Sequence, residues 1–258
     1  MIPIAVMHIP HSSTHIPSHE RTSINLSDQE LQTELMRMTD LYTNVLFQMD
    51  NSLAIPILFP ISRLVVDPER FEDDAKEEMA EIGMGVIYTR TSDGRILRDN
   101  PSSSHRTRLL EKYYRPHHAK LTSHVGTVLK HHSKALIIDC HSFPARPLPY
   151  EFDQTEVRPD ICIGTDDFHT QSWIVDQLVT AFKAEDLRCE INTPFGGALV
   201  PLQYFRKERS VSSIMVEVNR SLYMDEKSGE KGVRFTAKCN AINRVLSELI
   251  AAFHLSKI

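Results

Sequence analysis

The chain has 258 residues, 41% of them apolar and 24% charged, with only 9 Gly and 14 Pro. That composition excludes disordered, collagen-like and low-complexity chains and can fill a sizeable core, for which a single α/β domain over 1–258 is expected. The balance of 29 Lys+Arg against 34 Asp+Glu leaves a net charge of −5, which argues against a surface built for nucleic acid or anionic lipid.

In chain order, IPIAVMHI (2–9) is a short apolar run rich in Val and Ile that stops at Pro10, so it reads as a buried first strand followed by the loop HSSTHIPS. Ser27 with Glu30 forms a capping box, and Leu31, Leu35, Met38, Tyr42, Val45 and Leu46 keep helical spacing to about Met49, which places Asp40 inside a helix. LAIPILFPIS (53–62) and RLVVD (63–67) look extended. FEDDAKEEMAEIG predicts a charged, exposed helix closed by Gly83, and GVIYTRTSDGRILR a hairpin across Asp93-Gly94.

From about Thr107 to Lys130 the spacing of Leu109, Leu110, Tyr113, Tyr114, Leu121, Val125 and Leu129 predicts helical segments, with Pro116 as a kink or a start. KALIIDCHSF (134–143) has the near-continuous apolar run of a parallel strand covered on both faces. A strand at 159–166, a helix over HTQSWIVDQLVTAFKAEDL, a strand in RCEINTPF, a strand at 213–219 and an amphipathic helix at 230–253 complete the chain. This alternation predicts a three-layer αβα sandwich around a mixed, largely parallel sheet.

No secretory leader and no apolar stretch of membrane-spanning length is visible, so a soluble cytoplasmic protein is expected. The four cysteines form no CxxC pair and read as reduced thiols. The motifs GxSxG, HExxH, GxxxxGK[ST] and a GxGxxG turn after a strand are absent, which removes most support from serine-hydrolase, zincin and nucleotide-binding readings.

Ligands of α/β sheets bind outside the carboxyl ends of strands. Three polar clusters end otherwise apolar strands: His8 with His11, Asp139 with His141, and Glu217 with Asn219 and Arg220. Two imidazoles and a carboxylate from distant segments suit a zinc site with an open position, and a further carboxylate could take a proton from water. Each piece also has a structural reading. A histidine at a strand end can be a hydrogen-bonded core residue, and Glu217 can belong to an ion pair with an arginine. Arg63 and Arg70 can fork onto a substrate carboxylate or pair with Asp67 and Glu69. Asp139 and His141 share one face of their strand and Cys140 takes the other, which disfavours a Cys140/His141 dyad.

The segments HIPHSS, SRLVVDPERF, YYRPHHAKL, IIDCHSFP, NTPFGG and VEVNRSLYMDE together resemble, in this order, the N-formylglutamate amidohydrolase family, over about 4–250. The resemblance implies a zinc-carboxypeptidase-like fold and a zinc-dependent hydrolase of N-formylglutamate or a similar short N-acyl amino acid. His11 and His141 match the metal positions and Glu217 the general base. Asp40 is the implied third ligand, with Glu34 and Glu20 behind it because Thr14 stands where the carboxypeptidase pattern has Glu. Arg63, His118 and Arg220 match polar positions that bind substrate. VVDPERF carries Glu69 where an Asn is common in the family, which leaves the acyl amino acid open. A zinc carboxypeptidase or cell-wall peptide amidase, and a metal-free binding protein on the same fold, are the alternatives. The partner implied is a small molecule, with neither nucleic acid nor membrane.

Overall fold

The computed structural model describes residues 2–256. Strands β1 (Ala5–Ile9), β2 (Ala54–Leu58), β3 (Ala135–Phe143), β4 (Ile161–Gly164), β5 (Cys189–Ile191) and β6 (Val211–Asn219) form one sheet in the order β2-β1-β3-β6-β4-β5. The β2-β1-β3-β6 block is parallel, and β4 enters antiparallel to β6 with β5 parallel to β4. The sheet is therefore mixed and mostly parallel, as the alternation of elements predicts.

The helices are α1 (Ser18–Arg21), α2 (Asp28–Met38), α3 (Thr43–Leu46), α4 (Ser103–Leu109), α5 (Arg115–His132), α6 (Ser172–Ala184) and α7 (Phe235–Leu255). Period-two alternation sorts the strand side chains onto two faces. Met7, Leu136, Ile138, Ile214 and Val216 meet α6 and α7 through Leu178, Phe182, Leu246 and Leu249. On the opposite face Val6, Ile137 and Val211 pack under Leu121, Val125 and Val128 of α5. His8, Asp139, His141 and Glu217 alternate with the first set and so belong to the α5 face, toward the strand ends. No helix among the described residues is long and apolar enough to cross a membrane, and all four cysteines are free.

The structure corrects four sequence expectations. Asp40 lies in a break, not inside a helix: α2 stops at Met38, Thr39 is extended (φ −86°, ψ 136°), and Tyr42 is left-handed at φ 70° before α3 begins. The Asp40 N–H donates to the His11 carbonyl at 2.9 Å, so a tertiary contact replaces the helical bond and swings the carboxylate inward. RLVVD is a turn, since Leu64, Val65 and Val66 are fully buried in two separate clusters that a straight strand would not reach together. FEDDAKEEMAEIG forms two short 3-10 turns, 74–76 and 78–82, rather than one helix. Glu77 between them is extended and its carboxylate accepts from the Met79 and Phe71 N–H groups; with few apolar side chains in the run, no stripe exists to stabilise a longer helix. Across Asp93-Gly94 the hairpin is reduced to the antiparallel bridge Arg90–Ile96 with bonds from Thr91 N–H to the Arg95 carbonyl and from Leu97 N–H to the Thr89 carbonyl, while the Ser92 N–H donates to Glu34 rather than across the turn.

Pro116 is the second residue of α5, which a single π turn (Leu110–Tyr114) joins to α4, so the N–H that proline lacks falls in the first turn of that helix, as expected for a proline at a start.

Candidate active site

The parallel register sets His8 beside Asp139 and His141 beside Glu217, so four polar side chains form a patch on one sheet face. His11, just past β1, and Asp40, in the break after α2, come in above it. His11, Asp40, His141 and Glu217 are 3%, 2%, 5% and 8% exposed. They line one cavity of about 510 Å³ together with Arg63, His118 and Arg220. Seven residues expected to act together are thus brought to one place.

One nitrogen or oxygen from each of His11, Asp40 and His141 converges, all within 4.8 Å of one another. The Asp40 Oδ2 atom is 3.1 Å from His141 Nδ1 and 3.7 Å from His11 Nδ1. Each imidazole is held from behind by a carboxylate. His11 Nε2 donates to Asp67 Oδ1 at 2.8 Å and His141 Nε2 to Asp139 Oδ1 at 3.2 Å, an arrangement that turns both Nδ1 atoms toward Asp40; His141 Nδ1 donates to Asp40 Oδ2, a bond that a metal would replace. His11 Nδ1 is buried without any hydrogen-bond partner. A buried orphan acceptor aimed at a second imidazole and a carboxylate fits zinc, whose usual donors these are. Glu34 and Glu20 are tied elsewhere, to Ser92 and to Arg108 with His105.

Burial works against the Asp40 charge, yet His141 and Arg220, which donate to it, hold its carboxyl far below the ordinary carboxylate range. Asp67 is likewise kept ionised against its burial by Arg63 and His11. Glu217 differs. It makes no hydrogen bond or ion pair among the described residues, and burial pushes its carboxyl up to about 8, with only partial relief from His141. The ion pair with an arginine is therefore not what keeps Glu217 in its strand.

Arg220 donates from Nη2 to Asp40 Oδ1 at 2.9 Å, from Nη1 to the Arg37 carbonyl and from Nε to Ser142 Oγ. Its fork is engaged and its work is to hold Asp40. Arg63 bonds Asp67 through Nε and Nη2, leaving Nη1 outside the pairing, while Tyr88 donates to the same Asp67 oxygen. His118 Nε2 donates to the Pro68 carbonyl at 2.9 Å. Burial lowers its pKa, so the neutral ring presents Nδ1 as an acceptor, suited to a substrate N–H rather than to a carboxylate.

Three neighbours belong to the site without a role assigned from sequence, although His8 and Asp139 are among the polar strand ends. Asp67 was visible only as a possible arginine partner, and nothing local distinguishes its link to His11. Asp139 was seen in DCHS, but its role behind His141 depends on ring orientation. His8 Nδ1 lies 2.9 Å from Asp139 Oδ1 and 3.0 Å from Glu69 Oε1, and these two carboxylates raise its pKa to about 9 against the effect of burial. His8 Nε2 is 2.8 Å from His117 Nε2.

The family model for N-formylglutamate amidohydrolase matches residues 4–224. No curated protein matches the chain. The fold is similar to a crystal structure of N-formylglutamate amidohydrolase from Ralstonia eutropha JMP134, with TM-score 0.85 and 20% identity over 97% of this chain and 94% of that one. A gene product of Agrobacterium tumefaciens is similar at TM-score 0.69 and 18% identity, covering 97% and 90%.

Proposed function

The chain belongs to the N-formylglutamate amidohydrolase family and is thus a hydrolase of amide bonds; from that premise we propose that it cleaves N-formylglutamate or a similar short N-acyl amino acid, with zinc held by His11, Asp40 and His141 and with Glu217 as general base. The observation that carries this reading is the unpartnered His11 Nδ1, buried and facing Asp40 and His141, with the unpaired Glu217 carboxyl beside them. When bound, zinc supplies Lewis acidity that polarises a carbonyl and makes water acidic near neutrality.

The remaining steps belong to the chain. A Glu217 oxygen, free of any competing donor, takes the proton from the attacking water and returns it to the departing amine nitrogen. Asp67 and Asp139 hold the two imidazoles in one tautomer, and Arg220 fixes Asp40. Arg63 Nη1 offers a donor to the substrate carboxylate, and His118 Nδ1 accepts from its amide N–H. A cavity of about 510 Å³ falls in the range of sites for drug-sized ligands, and this size favours N-acyl groups larger than formyl among the substrates.

The test pairs zinc content with formate release from N-formylglutamate in wild type, His141→Ala and Glu217→Gln. Removing the base should lower kcat about 10²- to 10⁴-fold with zinc retained, and His141→Ala should lose both. A Glu217→Gln variant that keeps most of its rate refutes the assignment. Zinc without formate release, followed by hydrolysis of a longer N-acyl glutamate, would retain the mechanism and move the substrate; cleavage of a dipeptide alone would favour the carboxypeptidase.

A further inference from the structure

A second group of donors lies next to the first and shares none of its ligand residues. His8 comes from β1, Asp139 from β3 and Glu69 from the connection between β2 and α4. One atom of each lies within 4.8 Å of the others. His8 and Asp139 are 0% and 1% exposed and the Glu69 side chain 14%.

The geometry around His8 Nδ1 leaves one requirement unmet. Two carboxylate oxygens face this nitrogen, at 2.9 Å and 3.0 Å. A single N–H points along one line, and it serves Asp139. Glu69 Oε1, at nearly the same distance, is buried with no hydrogen-bond partner. A buried carboxylate oxygen without a donor is costly, and a proton on Nδ1 cannot satisfy both oxygens. A divalent cation can, because it accepts several ligand atoms at once.

The far side of the ring supports the same arrangement. His8 Nε2 faces His117 Nε2 at 2.8 Å. With His117 Nε2 as acceptor and a cation in place of the Nδ1 proton, His8 keeps its hydrogen on Nε2 and turns the Nδ1 lone pair toward the cation between the two carboxylates, as metal-bound histidines do.

We propose that His8, Glu69 and Asp139 form a second divalent-cation site, distinct from the His11, Asp40 and His141 site. One imidazole and two carboxylates suit a first-row divalent ion such as zinc or manganese and leave coordination positions open. Glu69 and Asp139 both line the cavity, which provides the entry path and places the cation where it anchors an anionic group of a bound substrate. The two sites touch only through the Asp139 carboxylate, which also accepts from His141 Nε2.

Calorimetric titration of chelator-treated protein with zinc alone tests this, with an anomalous difference map of zinc-soaked wild-type crystals to locate each ion. Wild type should bind two zinc ions and Glu69→Gln one, with the retained class unchanged in affinity. Circular dichroism checks that the variant folds, and the map needs no variant. One wild-type ion at His11, Asp40 and His141 overturns this proposal and leaves the proposed function standing. One ion at His8, Glu69 and Asp139 does the reverse. Two ions in Glu69→Gln at wild-type affinities, or none in wild type, also overturn it.

Discussion

Glu217 offers a measurement that needs no substrate. In the metal-free protein its carboxyl is buried without a partner, and its pKa stands at about 8 against an ordinary 4.5. Below pH 4.5 it is neutral both folded and unfolded and imposes no penalty. As pH rises toward 8 the unfolded chain releases the proton while the folded chain retains it, so stability declines by about 1.4 kcal/mol per pH unit. Over the gap this amounts to about 5 kcal/mol, and above pH 8 the loss levels off. Glu217→Gln cannot ionise and escapes this decline. Other titrating groups cancel in the difference between the two proteins, so the advantage of Gln should be smallest near pH 5 and approach its full value by pH 8. Urea unfolding of chelator-treated wild type and variant at pH 5, 6.5 and 8, read as ΔG in water at matched m-values, measures it. A difference that is the same at all three pH values refutes the reasoning, because it means that Glu217 ionises freely in the fold or finds a partner there.

Asp67→Asn replaces the charged acceptor behind His11 Nε2 by a neutral one and should weaken zinc binding about 10- to 100-fold, read by competition with a chromophoric chelator; unchanged affinity would show that the Asp67 charge does not strengthen His11 as a ligand. Glu20 is buried under Arg108 and His105, and these partners hold its pKa down against the effect of burial. Glu20→Gln should therefore cost about 1–3 kcal/mol at pH 7, and since a lowered pKa contributes stability only above the unfolded value, the cost should fade as the pH drops below 4.5 and through the folded pKa. Denaturation at pH 7 and pH 3.5 with equal losses would contradict this. A Cβ at Gly164 would overlap the Gly197 carbonyl oxygen and Met215 Cε. Gly164→Ala should therefore destabilise by about 1–3 kcal/mol and raise KM by displacing the 194–199 loop that lines the cavity, whereas an unchanged melting temperature and KM would show that the loop yields freely.

The sheet and its covering helices were legible because they follow one rule each. Strands covered on both faces read as unbroken apolar runs, as in ALIIDC, and α2, α6 and α7 carry apolar stripes beneath exposed polar faces. The 59–102 connection was not legible, because its backbone is satisfied by individual side chains such as Glu77 and Glu34 rather than by a repeating ladder. No periodicity announces bonds of that kind. Asp40 shows the limit most directly. Helical spacing continues through it, yet a single bond to the His11 carbonyl and a left-handed Tyr42 break the helix at that point. Sequence pattern favours the longer helix, and the break is what turns the carboxylate toward the histidines.

The same accounting explains why so much charge is tolerated inside the sheet end. Arg220, Asp40, His141, Asp139, His8 and His117 form one chain of contacts. In it each carboxylate lies between basic groups, so burial that is prohibitive for one ion alone is offset along the chain. Two buried atoms of this region make no hydrogen bond, His11 Nδ1 and Glu69 Oε1, the second lying 3.0 Å from His8 Nδ1. Each belongs to a different cluster of three donors. On the proposed reading each of these atoms faces a bound cation, which is why counting bound zinc, and locating it, tests both the hydrolytic site and its neighbour.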